Sequence, residues 1–256
     1  MKIIAHESPQ LKVVKMNVDV AIDPKLEKYP AINTCFSRSN FTVIAGKMGA
    51  GKTSILIELM RNPDIYKRVF HEIFVIIPAG SLLSISEKDN IFERYIPPDH
   101  LYSEYNAENL EAIYKKLLVN AQNEHFSLVV IDDFGSEFKV KRDCEKILNK
   151  IIIRMRHLRT VVFLLAQGLT QLPLKWRQLT TNLLTYNLGK SAMERVFNEY
   201  FDFSKDQFIK IMNSQFKEPH DFLLLNLKFK KIYNKSFHEI TFEDEEEDIK
   251  IEPSTK

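Results

Sequence analysis

Three of the chain's 7 glycines fall within six positions, in the stretch Gly46-Lys47-Met48-Gly49-Ala50-Gly51-Lys52-Thr53. A loop so poor in side chains lets backbone N–H groups converge on a ligand, and the Gly-x4-Gly-Lys-Thr spacing is that of a P-loop built around a metal-bound polyphosphate. The flanks agree. Residues 41–45, FTVIA, form a short apolar run ended by glycine, which predicts a buried strand. The following SILIELMR is rich in helix formers and can share Ile55, Leu56, Leu59 and Met60 on one face. Strand, glycine loop and helix in that order point the orphan N–H groups of a helix N-terminus at the phosphates. Gly46, Lys47, Met48, Gly49, Ala50, Gly51, Lys52, Thr53 and Ser54 are therefore the expected nucleotide cradle, with Lys52 reaching the β and γ oxygens and the Thr53 hydroxyl ligating Mg2+. A random chain of this length would match the four fixed positions about once in a hundred, and the flanking elements make chance rarer still.

The other glycines, Gly80, Gly135, Gly168 and Gly189, each follow an apolar or β-rich run: IFVIIPAG, LVVIDDFG, VVFLLAQG and NLLTYNLG. Helix-like segments such as AENLEAIYKKLLVNAQ and DCEKILNKIIIRMRHL lie between them. This alternation predicts an α/β fold with a mostly parallel sheet buried on both faces and flanked by helices. In such a sheet ligands sit beyond the carboxyl ends of the strands, so the glycines mark the edge where chemistry belongs.

Three polar residues end those strands. Asp132, after four apolar residues, is expected to hold Mg2+, and Asp133 to polarise the attacking water; taken without the P-loop, either would read as a cap for the next turn. Gln167 is placed to contact a γ-phosphate or the lytic water, although strand-terminal polar residues are common for structural reasons. Arg154, Arg156, His157 and Arg159 cluster at a helix end. There they either complement the helix dipole or supply an arginine finger to a neighbouring subunit, and Arg177 is the other candidate.

Bulk properties set the remaining limits. A chain of 256 residues, 45% of them apolar, can bury one substantial core. No apolar run approaches membrane-spanning length and MKIIAHESPQ lacks a signal peptide's hydrophobic stretch, so the expectation is a soluble, unsecreted protein without a membrane partner. Cys35 and Cys144 have no metal-ligand spacing around them and read as reduced structural thiols. The net charge of +2 conceals an asymmetry: after Phe242 there are seven acids and two lysines, leaving a body of net +7 that suits a polyanionic partner without demonstrating one.

Taken together, NFTVIAGKMGAGKT, LVVIDDF and RMRHLRTVVFLLAQGLTQLPLKWR, with HDFLLLNL as a late strand, resemble the viral DNA-packaging ATPases of the FtsK–HerA superfamily, the poxvirus-type group of large DNA viruses and virophages. The resemblance implies a RecA-like P-loop NTPase core in which the Walker A and Walker B strands flank a sensor strand. It further implies a homo-oligomeric ring, pentamer or hexamer, that threads double-stranded DNA into a capsid with ATP and Mg2+. A portal or vertex protein would be its capsid partner, and the host cytoplasm, viral factory or virion its place. Carried over, Lys52 and Thr53 bind Mg-ATP, Asp132 holds the metal, Asp133 activates water, Gln167 is the sensor and Arg156 the preferred finger. Two departures stand out: Asn182 lies later after Arg177 than the group's asparagine, and Asp133 stands where the wider superfamily often has the longer Glu.

The expected organisation is a lead-in over 1–40, an ATPase core over 41–190, completing helices and strands over 191–240, and an acidic disordered tail over 241–256. No N/T-K-x-D element supports a GTPase and no LSGGQ-like segment an ABC ATPase, while the residues after Gly189 are too few and too poor in acids outside the tail for a nuclease domain. The alternatives that remain are another DNA-translocating or helicase-type ATPase of the same core, and a capsid-vertex protein that binds nucleotide with little turnover.

Overall fold

The computed structural model describes residues 35–242 except 37, 84–89 and 133. The expected tail from 243 onward, nearly all of the lead-in, and Asp133 lie outside the described residues.

The five β-rich runs read from the sequence become strands where expected, joined by a short strand, Leu101–Tyr102, that the sequence reading did not pick out. β1 (Phe41–Ala45), β2 (Glu72–Ile76), β3 (Leu101–Tyr102), β4 (Ser127–Ile131), β5 (Thr160–Ala166) and β6 (Asn182–Tyr186) are followed by β7 (Phe222–Asn226), β8 (Lys231–Tyr233) and β9 (Glu239–Ile240). They form one nine-stranded sheet in the order β3-β2-β4-β5-β1-β6-β7-β8-β9. The first six in that order are mutually parallel and the last three antiparallel. β5, the strand expected to carry the sensor, lies between β4 and β1, as the resemblance implies, and the fold is a RecA-like P-loop core.

Side-chain alternation explains why the central strands read as unbroken apolar runs. Val43, Phe74, Val129, Val162 and Leu183 join one core cluster, while their successors Ile44, Val75, Val130, Phe163 and Leu184 join the other. Both faces must therefore be covered. On the first face lie α2 (Ala107–Gln122), α3 (Arg142–Arg154), the short α4 (Leu174–Leu179), α5 (Lys190–Tyr200) and α6 (Lys205–Gln215); on the second lies α1 (Lys52–Arg61). α1 buries Leu56, Ile57 and Leu59, with Ile55 and Met60 packed at the margin, so the expected face is one residue wider than the spacing indicated. Cys35 and Cys144 are both buried thiols.

Gly80 lies in a short helix, Ala79–Leu83, and two helices, α5 and α6, are separated between Tyr200 and Lys205. Ser204 starts the second helix: its hydroxyl accepts from the Gln207 amide, and the Gln207 side chain accepts from the Ser204 amide. That reciprocal pair satisfies donors the helix start would leave orphaned, and it stops α5 and α6 from fusing.

Candidate active site

The parallel strands all end at one edge, and the glycine loop leaves β1 there. Gly46 N–H donates to the Ala166 carbonyl at the end of β5 (3.1 Å), which fixes where the loop departs. Gly49 and Gly51 have φ of 74° and 101°, a region that side chains with a Cβ rarely enter, and Gly51 caps α1 in this left-handed conformation. Gly46 is required for space: a Cβ there would stand 2.8 Å from Cδ2 of Tyr186. Lys47, Met48 and Gly49 at the crown are exposed, and Ser54 faces solvent one residue after Thr53.

Lys52 folds back over this crown. Its Nζ donates to the Gly46 carbonyl at 2.8 Å and the Lys47 carbonyl at 3.0 Å. Thr53 turns the other way, and its Oγ1 donates to Oδ2 of Asp132 at 2.8 Å. Asp132 is 4% exposed and its backbone N–H is held by the Ile76 carbonyl of β2. Residues 79 positions apart are thus joined, the P-loop helix to the acidic end of β4, because β5 alone separates β1 from β4. A hydroxyl and a carboxylate oxygen at this separation form a hard, oxygen-only pair of the kind that magnesium shares with waters and phosphates.

Gln167 leaves β5 at the same edge and is exposed; its backbone N–H donates to Oε1 of Gln171 at 2.9 Å. The Gln171 amide also occupies the space beside Gly135, where a Cβ would collide with it. The Lys139 ammonium binds the Thr170 carbonyl, and Phe138 meets Trp176 edge to face at 5.5 Å. The loops after β4 and β5 are therefore stitched together along their length. Lys139 and Lys141, on the loop after β4, are engaged within the chain, the latter by the Tyr105 carbonyl at 2.7 Å and by Glu137.

The arginines lie elsewhere. Arg154, Arg156, His157 and Arg159 occupy the end of α3 and the turn into β5, hence the opposite edge of the sheet from the P-loop. Arg154 donates to the Tyr114 hydroxyl at 2.7 Å and Arg159 to the Glu124 carbonyl at 3.0 Å. Arg177, on α4, pairs with Glu199 of α5 at 2.9 Å, so any role outside the chain would require breaking that pair.

Two residues at the site were not picked out from the sequence. The Tyr186 hydroxyl donates to the Gly51 carbonyl at 2.9 Å, and Nδ1 of His220 lies 3.1 Å from the Ala50 carbonyl. Tyr186 follows from the rule that strand ends carry function, since it closes β6; His220 sits on a turn whose approach to the P-loop no spacing reveals.

With this geometry, comparison with known proteins is informative. A family model described as Poxvirus A32 protein matches residues 33–233. The DNA packaging protein OPG160 of Vaccinia virus (strain Copenhagen) is 28% identical over 178 residues, covering 63% of this chain and 60% of that protein. Its counterpart in Monkeypox virus is also 28% identical, over 63% of this chain and 54% of that protein. The match therefore spans only 54–60% of the length of these relatives. Among solved structures, B204, the DNA-packaging ATPase of Sulfolobus Turreted Icosahedral Virus, superposes with a TM-score of 0.56 at 15% identity, covering 76% of this chain and 96% of that one. The genome packaging NTPase B204 of Sulfolobus turreted icosahedral virus 2, in complex with ATP-gammaS, gives 0.53 at 14%, covering 77% and 96%. At these identities the likeness is one of fold.

Proposed function

Because this chain belongs to the Poxvirus A32 protein family, we propose that it is an ATPase that drives double-stranded DNA into a viral capsid. The observation that carries the reading is the Thr53–Asp132 contact at 2.8 Å, which gathers the P-loop helix and the acidic strand end at one place. The names of its relatives, DNA packaging protein and packaging ATPase, supply the direction in which the site is read.

In this reading the loop from Gly46 to Ser54 cradles the phosphates. Lys52 exchanges its two carbonyl partners for phosphate oxygens, since an ammonium on a flexible stem moves readily to the stronger anion. Thr53 and Asp132 would hold Mg2+, which when bound neutralises charge on the phosphates. Asp133 orients and deprotonates the water, and Gln167 contacts the terminal phosphate; its backbone link to Gln171 would carry the change to the loop after β4. Arg156 is assigned to a neighbouring subunit's site in a homo-oligomeric ring. Residues 41–190 form the motor core, and 191–240 complete the same domain, as the continuity of β7 to β9 with the sheet supports. The place of action would be the viral factory in the host cytoplasm. Among the described residues no helix is long and apolar enough to cross a membrane.

ATP turnover measured with and without duplex DNA tests the proposal. Stimulation by DNA that Lys52→Ala reduces at least a hundredfold is the expected result. Turnover unchanged in that variant would remove the active-site assignment, and nucleotide binding with negligible turnover in the presence of DNA would leave a nucleotide-binding vertex protein instead of a motor.

A further inference from the structure

The P-loop is held from behind by the end of β6 and the turn before β7. Tyr186 reaches both ends of the loop: its ring fills the space beside Gly46 and its hydroxyl donates to the Gly51 carbonyl at 2.9 Å. His220, just before β7, lies with Nδ1 3.1 Å from the Ala50 carbonyl. A carbonyl can only accept, so Nδ1 carries the proton in this contact. The turn that bears His220 is itself fixed. Oδ2 of the neighbouring Asp221 accepts from the Lys217 and Glu218 amides at 2.9 and 2.7 Å, and its Oδ1 accepts from Lys235 at 2.6 Å.

Holding two successive carbonyls has a consequence for the other side of the loop. In a trans peptide the carbonyl and the N–H of the next residue point in opposite directions. Drawing the carbonyls of Ala50 and Gly51 toward β6 and β7 therefore directs the N–H groups of Gly51 and Lys52 away from those strands. The Gly51 carbonyl also accepts the first helical bond of α1, from the Ile55 amide at 2.9 Å, so Tyr186 adds a second donor to a carbonyl the helix already holds, while His220 restrains the Ala50 carbonyl beside a glycine at φ 101°. Burial pushes the Tyr186 hydroxyl up to about 12, which keeps it a donor through the ordinary pH range.

We propose that Tyr186 and His220 are positioning residues that preset the loop's N–H groups for the polyphosphate of a nucleoside di- or triphosphate, acting on the phosphate cradle and not on the base. The inference rests on the nucleotide-site reading above, and it ties the C-terminal strands to the affinity of that site.

Calorimetric titration of the full chain with Mg-ATP and with Mg-tripolyphosphate, alongside thermal melts without ligand, tests it. Tyr186→Phe keeps the ring and removes the donor; His220→Ala removes the other contact, and His220→Asn places an amide nitrogen where Nδ1 stood. Each of the first two variants should weaken both ligands about fivefold, the share of one net hydrogen bond, and His220→Asn should restore the wild-type value. A purely structural role would lower the melting temperature without that rescue and would overturn the assignment. So would unchanged affinities in Tyr186→Phe and His220→Ala, or weakening toward ATP but not tripolyphosphate. Failure of the wild-type protein to bind either ligand, or indifference to Lys52→Ala, would instead overturn the nucleotide-site reading on which it rests.

Discussion

At the scale of single residues, the site works by opposing demands on neighbouring side chains. Lys52 and Thr53 are adjacent in sequence yet bond in different directions, one to the loop carbonyls and the other to Asp132, and in the proposed function each serves a different part of the same ligand. Asp221 shows how a residue outside the site can matter to it. Burial by itself would raise its pKa, but the Lys235 ammonium and the Lys217 and Glu218 amides outweigh that and hold the carboxyl below the ordinary range. A depressed folded pKa contributes stability that is complete above the unfolded value of about 3.9 and is lost as pH falls through the folded value. Asp221→Asn should therefore lower the thermal midpoint at pH 7 by about 2–8 °C. The gap between variant and wild type should narrow as pH drops below about 4, which melts across that range would show. A gap constant with pH would mean that the carboxylate's charge plays no part.

Among the elements, the connections decide more than the strands. The loops after β4 and β5 are joined by Gln171, Lys139 and the Phe138–Trp176 pair, and Trp176 donates to Asn149 of α3 at 3.0 Å. Movement at Gln167 would thus be felt in the loop after β4 and in α3. The helix pair α5 and α6 depends on a local signal instead. Ser204 and Gln207 bond reciprocally at the start of α6, and α6 in turn buries Phe208 and Ile211 against the sheet. Ser204→Ala is expected to destabilise the protein by about 1 kcal/mol, seen as a lower urea midpoint with the slope unchanged. An unchanged midpoint would show that packing of Phe208 and Ile211 alone sets the helix start.

For the whole molecule, the separation of the sheet's two edges sets what one chain can do alone. Arg156 precedes β5, whose seven residues span roughly 20 Å before Gln167. It lies too far from its own P-loop, so the finger role assigned to it requires a second subunit. Mixing Arg156→Ala with Lys52→Ala subunits should then recover DNA-stimulated turnover that neither has alone, because the second can lend its arginine to the first, and such a finger is worth about 10³–10⁵ in rate. No recovery in a mixture shown to co-assemble would remove Arg156 from that role. The limits of what the chain discloses follow the same geometry. The P-loop, five of the six parallel strands and the position of Asp132 were legible in the amino-acid sequence because each depends on short-range patterning: fixed glycine spacing, runs apolar on both faces, and a carboxylate at the end of such a run. The grip of Tyr186 and His220 on the loop and the placing of the arginines at the far edge were not, because each depends on segments widely separated along the chain. Local composition sets which element forms. Strand order alone decides which element ends become neighbours, and it emerges only when the two faces of the sheet are buried together.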